Sequence, residues 1–160
     1  MPWIGIDFDG TLSEWGEGTS NPGDVLTTGD PIPAMIDRVK GWIAEGKQVR
    51  IFTARVGPAT PEECHAQLIR LTTEQAEAQR MPPYDETLHH AANYWFRYQQ
   101  RLLSTWSALY LGVPLLITAS KDFHMEQLWD DRCVQVEPNT GECVTEALEK
   151  RLVGVLGDCQ

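Results

Sequence analysis

The stretch that most restricts what this chain can fold into is its first dozen residues, MPWIGIDFDGTL, a short apolar run ending in two aspartates at alternate positions followed by Gly-Thr. Trp3, Ile4 and Ile6 are aromatic or β-branched and the run is brief, the pattern of a central strand in a parallel sheet covered on both faces. Strand side chains alternate with period two, so Asp7 and Asp9 share a face. Gly10 lets the backbone turn away sharply, and Thr11 sets a hydroxyl and an amide next to the carboxylates. A strand end so equipped suits a divalent cation or a phosphoryl group.

Residues 13–31 are rich in Gly, Ser, Thr, Asn and Pro, which predicts a flap over about 12–31 directly after the aspartates. Trp15 is its one bulky residue, able to cover a ligand or to anchor the flap to the core. From Ile32 the period changes. Ile32, Met35, Ile36, Val39, Trp42 and Ile43 recur at helical steps, with Gly46 as the cap. QVRIFTA, residues 48–54, then predicts a second buried strand ending at Thr53. Strand, helix, strand implies a right-handed crossover in a parallel α/β sheet. Thr53 then lies at the same carboxyl edge as Asp7 and Asp9, the edge where such sheets bind ligands.

Thr60-Pro-Glu-Glu is a capping box with proline at the first helical position, predicting a helix from there to about Arg80, where Met-Pro-Pro breaks it. A second helix is predicted from about 86 to 111, so a helical segment of about 60–111 separates the second and third strands. Its aromatic stripe, Trp95, Tyr98 and Trp106, reads as core packing. VPLLIT, residues 113–118, is a third strand leading to Lys121, and Met125–Trp129 a short one ending in Asp130 and Asp131. A small edge strand at Cys133–Val136, a turn over 138–141 and a last helix from about Glu142 complete the pattern.

At 160 residues the expectation is a single domain, 1–160. A formal charge of -10 weighs against an extended phosphate-backbone footprint, which needs clustered Lys and Arg, while a single nucleotide stays open. No apolar run approaches the ~18 residues of a membrane span. The N-terminus has neither a basic region nor a long apolar core, so a cytoplasmic protein with no membrane partner is expected. The four cysteines lack paired metal-ligand spacing, which makes reduced structural thiols the expectation.

Four features therefore arrive in order at successive strand ends: Asp7 with Asp9, Thr53, Lys121, and Asp130 with Asp131. In IGIDFDGT, VRIFTAR, TASKDF and QLWDDR the chain resembles the haloacid dehalogenase superfamily, and the stretch LWDDRCVQVEPNTG is similar to small phage- and prophage-encoded members. The resemblance implies a three-layer Rossmann-like parallel sheet flanked by helices, without a large cap. It also implies an Mg2+-dependent phosphatase in which Asp7 is the nucleophile that forms an aspartyl-phosphate and Asp9 the general acid and then base. Thr53 would hydrogen-bond the phosphoryl group and Lys121 would neutralise it. Asp7, the Asp9 backbone carbonyl, Asp130 and Asp131 would form the magnesium shell, Asp130 the closer of the last two.

The residue types suit that chemistry independently. A phosphoryl group and several aspartates at one edge repel one another, and hard oxygen ligands select Mg2+, which binds carboxylates together with substrate oxygens. Gly10, Thr11 and Arg55 are the candidate substrate contacts, Arg55 for the phosphate. The expected partner is a small phosphorylated molecule, a nucleotide among the candidates. Two other classes stand beside this one: a phospho-accepting signalling receiver, which uses the same residue types in another strand order, and a catalytically idle partner-binding protein of the same fold.

Overall fold

The computed structural model describes residues 1–82, 84, 90–133, 135, 136 and 143–145. They belong to two compact units, Met1–Asp130 and Asp131–Gln160. The first contains β1 (Trp3–Ile6), α1 (Pro33–Ala44), β2 (Gln48–Phe52), α2 (Pro61–Leu68), α3 (Thr73–Ala78), α4 (Ala91–Leu111), β3 (Leu116–Thr118) and β4 (Met125–Trp129). The strands form one sheet in the order β3-β2-β1-β4, and every neighbouring pair is parallel. The protein is thus of the α/β class, with an all-parallel sheet flanked by helices.

β1 is buried at all four residues, as a continuous apolar run between two parallel neighbours should be. Register places Ile4 and Ile6 beside Val49 and Ile51, and Ile51 beside Ile117, so these five side chains share one face. Met35, Ile36 and Val39 of α1 and Leu103, Trp106 and Leu111 of α4 close over them in a single core cluster. On the opposite face the guanidinium of Arg50 stacks 4.3 Å above the Trp3 ring. Residues 119–124 cross that face between β3 and β4. Asp122 accepts there from the Trp3 indole at 2.7 Å and from Arg50 at 3.2 Å. The Trp3 N–H, ahead of the His124 amide, holds the Asp122 carboxyl below its ordinary pKa.

The ends of α1 and α2 follow the signals legible in the residues. Past α1 the amides of Gly46 and Lys47 donate back to the carbonyls of Ile43 and Trp42, at 3.0 and 2.9 Å. At α2, Thr60 Oγ1 accepts from the Glu63 amide, and the Glu63 carboxylate accepts from the Thr60 amide. The single helix predicted from Thr60 to about Arg80 is corrected to two, because a second capping box, Thr72 with Gln75, starts α3. The second helix closes at Arg80, which has φ 53. α2, the flap residue Leu26 and one side of α4 (Trp95, Tyr98, Leu102) form a separate apolar cluster.

α4 is described from Ala91, so its predicted start, 86–89, lies outside the described residues. Its aromatic stripe is buried as expected. Among the described residues no helix is long and apolar enough to cross a membrane. In the second unit, Val136 and Cys143 form an isolated antiparallel bridge, which is what the described residues show of the predicted edge strand. The turn over 138–141 and the last helix beyond Thr145 lie outside them.

Candidate active site

β1 delivers Asp7 to the carboxyl edge of the sheet, and pairing with β4 continues one residue beyond it: the Asp7 amide donates to the Trp129 carbonyl at 2.8 Å. That bond sets Asp7 beside Asp130. The two half-buried residues each offer a carboxylate oxygen, and these lie within 4.8 Å of one another. Negative charges brought that close repel one another. A cation between them would turn that repulsion into attraction. Asp131 follows as the first residue of the second unit, where its carboxylate meets Arg132 Nε at 3.6 Å.

After Asp7 the chain turns tightly. The Leu12 and Ser13 amides donate to the Phe8 carbonyl at 3.0 and 2.9 Å, and Gly10 sits at φ 83, where an L side chain would be strained. Thr11 is buried beside it. Asp9 turns inward and is only 8% exposed. Its carboxylate is gripped by Arg55 in a bidentate pair, Nε to Oδ2 at 2.8 Å and Nη2 to Oδ1 at 2.6 Å. Arg55, expected at a substrate phosphate, therefore has its guanidinium on Asp9.

At the adjacent strand end Thr53 is 2% exposed. Its amide extends the β2–β3 pairing by donating to the Thr118 carbonyl, and its hydroxyl accepts from the Arg55 amide at 3.2 Å, capping a short 3-10 turn over Ala54–Val56. A cavity of about 280 Å3 opens beside it, lined by Phe52, Thr53, Ala54, Gly57, Pro58 and Ala119. Lys121 is exposed just past β3, its Nζ 6.0 Å from the centre of the Phe52 ring. Thus Asp7 and Asp130 come together, Asp9 and Arg55 form a second pair, and Thr53 and Lys121 stand at the ends of the next two strands.

The predicted flap is held more firmly than its composition suggests. Buried Asn21 organises it from within, donating to the Asp24 and Thr27 carbonyls and accepting from the Gly23 and Asp24 amides. From outside, Tyr98 donates to Leu26 O at 2.7 Å, Gln99 to Val25 O at 2.7 Å and Trp106 to Gly29 O at 3.1 Å. Arg55 Nη1 adds bonds to Val25 O and Thr27 O at 3.1 and 2.8 Å. Trp15 lies over that same guanidinium, 5.0 Å from ring centre to Cζ. It anchors the flap inward. The polar tips of α4's buried stripe hold the flap, a task that periodicity alone did not show. Their one sequence signal is that buried Trp, Tyr and Gln must find partners.

Two expected outcomes follow from these bonds. A Cβ at Gly29 would lie 2.2 Å from the Glu14 carbonyl oxygen, backbone that cannot step aside. Gly29→Ala should destabilise the fold by about 1–3 kcal/mol, read by urea denaturation, since overpacking forces backbone shifts. Burial, with the Asp24 charge adding to it, pushes the Tyr98 phenol up to about 12. The folded state therefore keeps its proton longer than the unfolded chain, whose tyrosines titrate near ~10. The stability Tyr98 contributes is complete below pH ~10 and is lost as pH rises from there toward 12. Tyr98→Phe should flatten that alkaline decline, and an unchanged slope would refute the assignment.

No protein-family model, curated protein or solved structure matches the chain. What fold and site define together is an α/β protein whose acidic residues gather at the carboxyl edge of a parallel sheet.

Proposed function

We propose that the protein is an Mg2+-dependent phosphoester hydrolase of the haloacid dehalogenase type, acting through an aspartyl-phosphate on a small phosphorylated substrate, with nucleotides among the candidates. One arrangement carries this: Asp7 and Asp130, at the ends of adjacent parallel strands, present carboxylate oxygens within 4.8 Å of each other, with Thr53 at the next strand end. Their donor set is all hard oxygen, which fits magnesium and does not fit a soft metal. Asp7, Asp130 and the Asp9 carbonyl would hold the ion. Bound there, magnesium would offset the negative charge that otherwise keeps a phosphate dianion away.

The chain's own groups then have distinct tasks. A carboxylate oxygen of Asp7 attacks phosphorus while the bond to the leaving oxygen breaks, and Asp9 gives that oxygen its proton. Asp9, now a base, takes a proton from the water that attacks the phosphoryl group, and the P–O bond to Asp7 breaks, releasing phosphate. The Thr53 hydroxyl donates to a phosphoryl oxygen, the Thr11 and Gly10 backbone lies alongside, and Lys121 balances charge. A three-layer sheet of this superfamily is the architecture this function implies. The 280 Å3 cavity beside Thr53 suits the leaving group of a small molecule.

Purified protein should hydrolyse p-nitrophenyl phosphate with millimolar Mg2+ and stop on addition of EDTA. Activity that EDTA leaves intact would refute the metal's role, and no activity toward aryl, nucleotide or sugar phosphates would refute the function.

A further inference from the structure

We propose that Arg55 is a positioning residue that makes the orientation of Asp9 depend on the flap. The guanidinium has two sets of partners. Nε and Nη2 hold both oxygens of Asp9, at 2.8 and 2.6 Å, while Nη1 donates to the Val25 and Thr27 carbonyls of the flap. Arg55 and Asp9 side chains are only 3% and 11% exposed. Arg55 is itself fixed from behind, because its carbonyl accepts from the Trp95 indole at 3.1 Å and its amide donates to Thr53 Oγ1. Its ring neighbours are Phe8, beside Asp9, and Trp15, in the flap. One rigid, planar group thus joins the loop after β1, the end of β2 and residues 25–27.

The consequence for chemistry rests on the phosphatase reading above. To deliver a proton to the leaving oxygen, Asp9 must carry it on one of its own oxygens, and here both accept from Arg55. An oxygen bonded to Arg55 can still carry the proton on its second lone pair, but presenting it to the leaving oxygen turns Asp9 and stretches a bond to Arg55 in each turnover. The guanidinium is planar with fixed N–H directions, so a shift that follows Asp9 also alters its bonds to Val25 and Thr27. The orientation of Asp9 is thereby coupled to the flap. A lysine, with one nitrogen, cannot make the two sets of bonds together.

Two arms test this. In hydrogen exchange, Asp9→Asn and Arg55→Lys should each speed the amides of residues 24–29 by at least about tenfold more than those of β1 and β2. Unchanged exchange over 24–29 in both variants overturns the coupling, and this arm needs no substrate. In kinetics, wild type and Arg55→Lys are compared on p-nitrophenyl phosphate, whose leaving group departs without a proton, and on an alkyl phosphate, whose leaving group needs one. kcat should fall on the alkyl ester by about 10²-fold more than on the aryl ester, the usual share of a general acid. An equal rise in KM on both esters, with kcat preserved, would make Arg55 a substrate-phosphate contact and overturn the proposal. If wild type turns over neither ester, the phosphatase reading fails while the exchange arm still decides the coupling. Should Arg55→Lys not fold, Tyr98→Phe, which loosens the flap at Leu26, takes its place in the kinetic arm, with the same preferential loss on the alkyl ester expected and an equal effect on both esters overturning the proposal.

Discussion

Asp7→Asn should lower kcat on p-nitrophenyl phosphate by at least about 10³-fold and leave the protein folded. An amide is a far poorer nucleophile than a carboxylate, and the remaining residues cannot form the acyl phosphate in its place. The backbone bond from the Asp7 amide to the Trp129 carbonyl, which continues the β1–β4 pairing, is preserved by the substitution. Circular dichroism melts of both proteins check this side by side with the assay. Wild-type turnover in Asp7→Asn would end the mechanism, and unfolding would show that the carboxylate has a structural task.

Arg55→Ala should be the most destabilising single change in this region, costing about 3–5 kcal/mol, because it leaves the Asp9 charge buried without its partner. In Tm that is roughly 10 °C or more for a chain of this size. Two flap carbonyls also lose one of their two donors, Val25 keeping Gln99 and Thr27 keeping Asn21. An exposed pair gives the comparison: Lys47 and Glu45 approach to 2.7 Å at side-chain exposures of 49% and 59%, and Lys47→Ala should stay within about 0.5 kcal/mol. Urea denaturation measures both. A loss below about 1 kcal/mol for Arg55→Ala would show that water reaches the pair. The double variant Asp9→Ala/Arg55→Ala should lose less than the sum of the two single changes, since it leaves no buried charge behind.

Local signals were the legible ones. The apolar run into Asp7, the capping box at Thr60 and the acidic end of Met125–Trp129 each depend on a few adjacent residues, and the structure has a strand or helix at each. The Thr72–Gln75 capping box was equally local, yet helical periodicity running through it hid the break between α2 and α3. The parallel order followed from a strand-helix-strand pattern, which physics allows to close in essentially one hand. Contacts between distant residues carried no such signal. Asp9 and Arg55 are 46 residues apart, and nothing near either one marks the other as its partner. Arg55 beside Thr53 looked free to reach a phosphate, whereas burial of Asp9 makes the nearest cation its necessary companion. The path of residues 119–124 across the sheet, tied by Asp122 to Trp3 119 positions away, was hidden for the same reason.

Asp7 is the residue on which the proposed chemistry turns, and its phosphorylation is directly observable. Protein incubated with Mg2+ and p-nitrophenyl phosphate, quenched in acid during turnover and digested, should yield an N-terminal peptide carrying one phosphoryl group on Asp7, absent from Asp7→Asn and from samples with EDTA. Turnover with no phosphoryl group on that peptide, or with the group on another residue, would contradict the account.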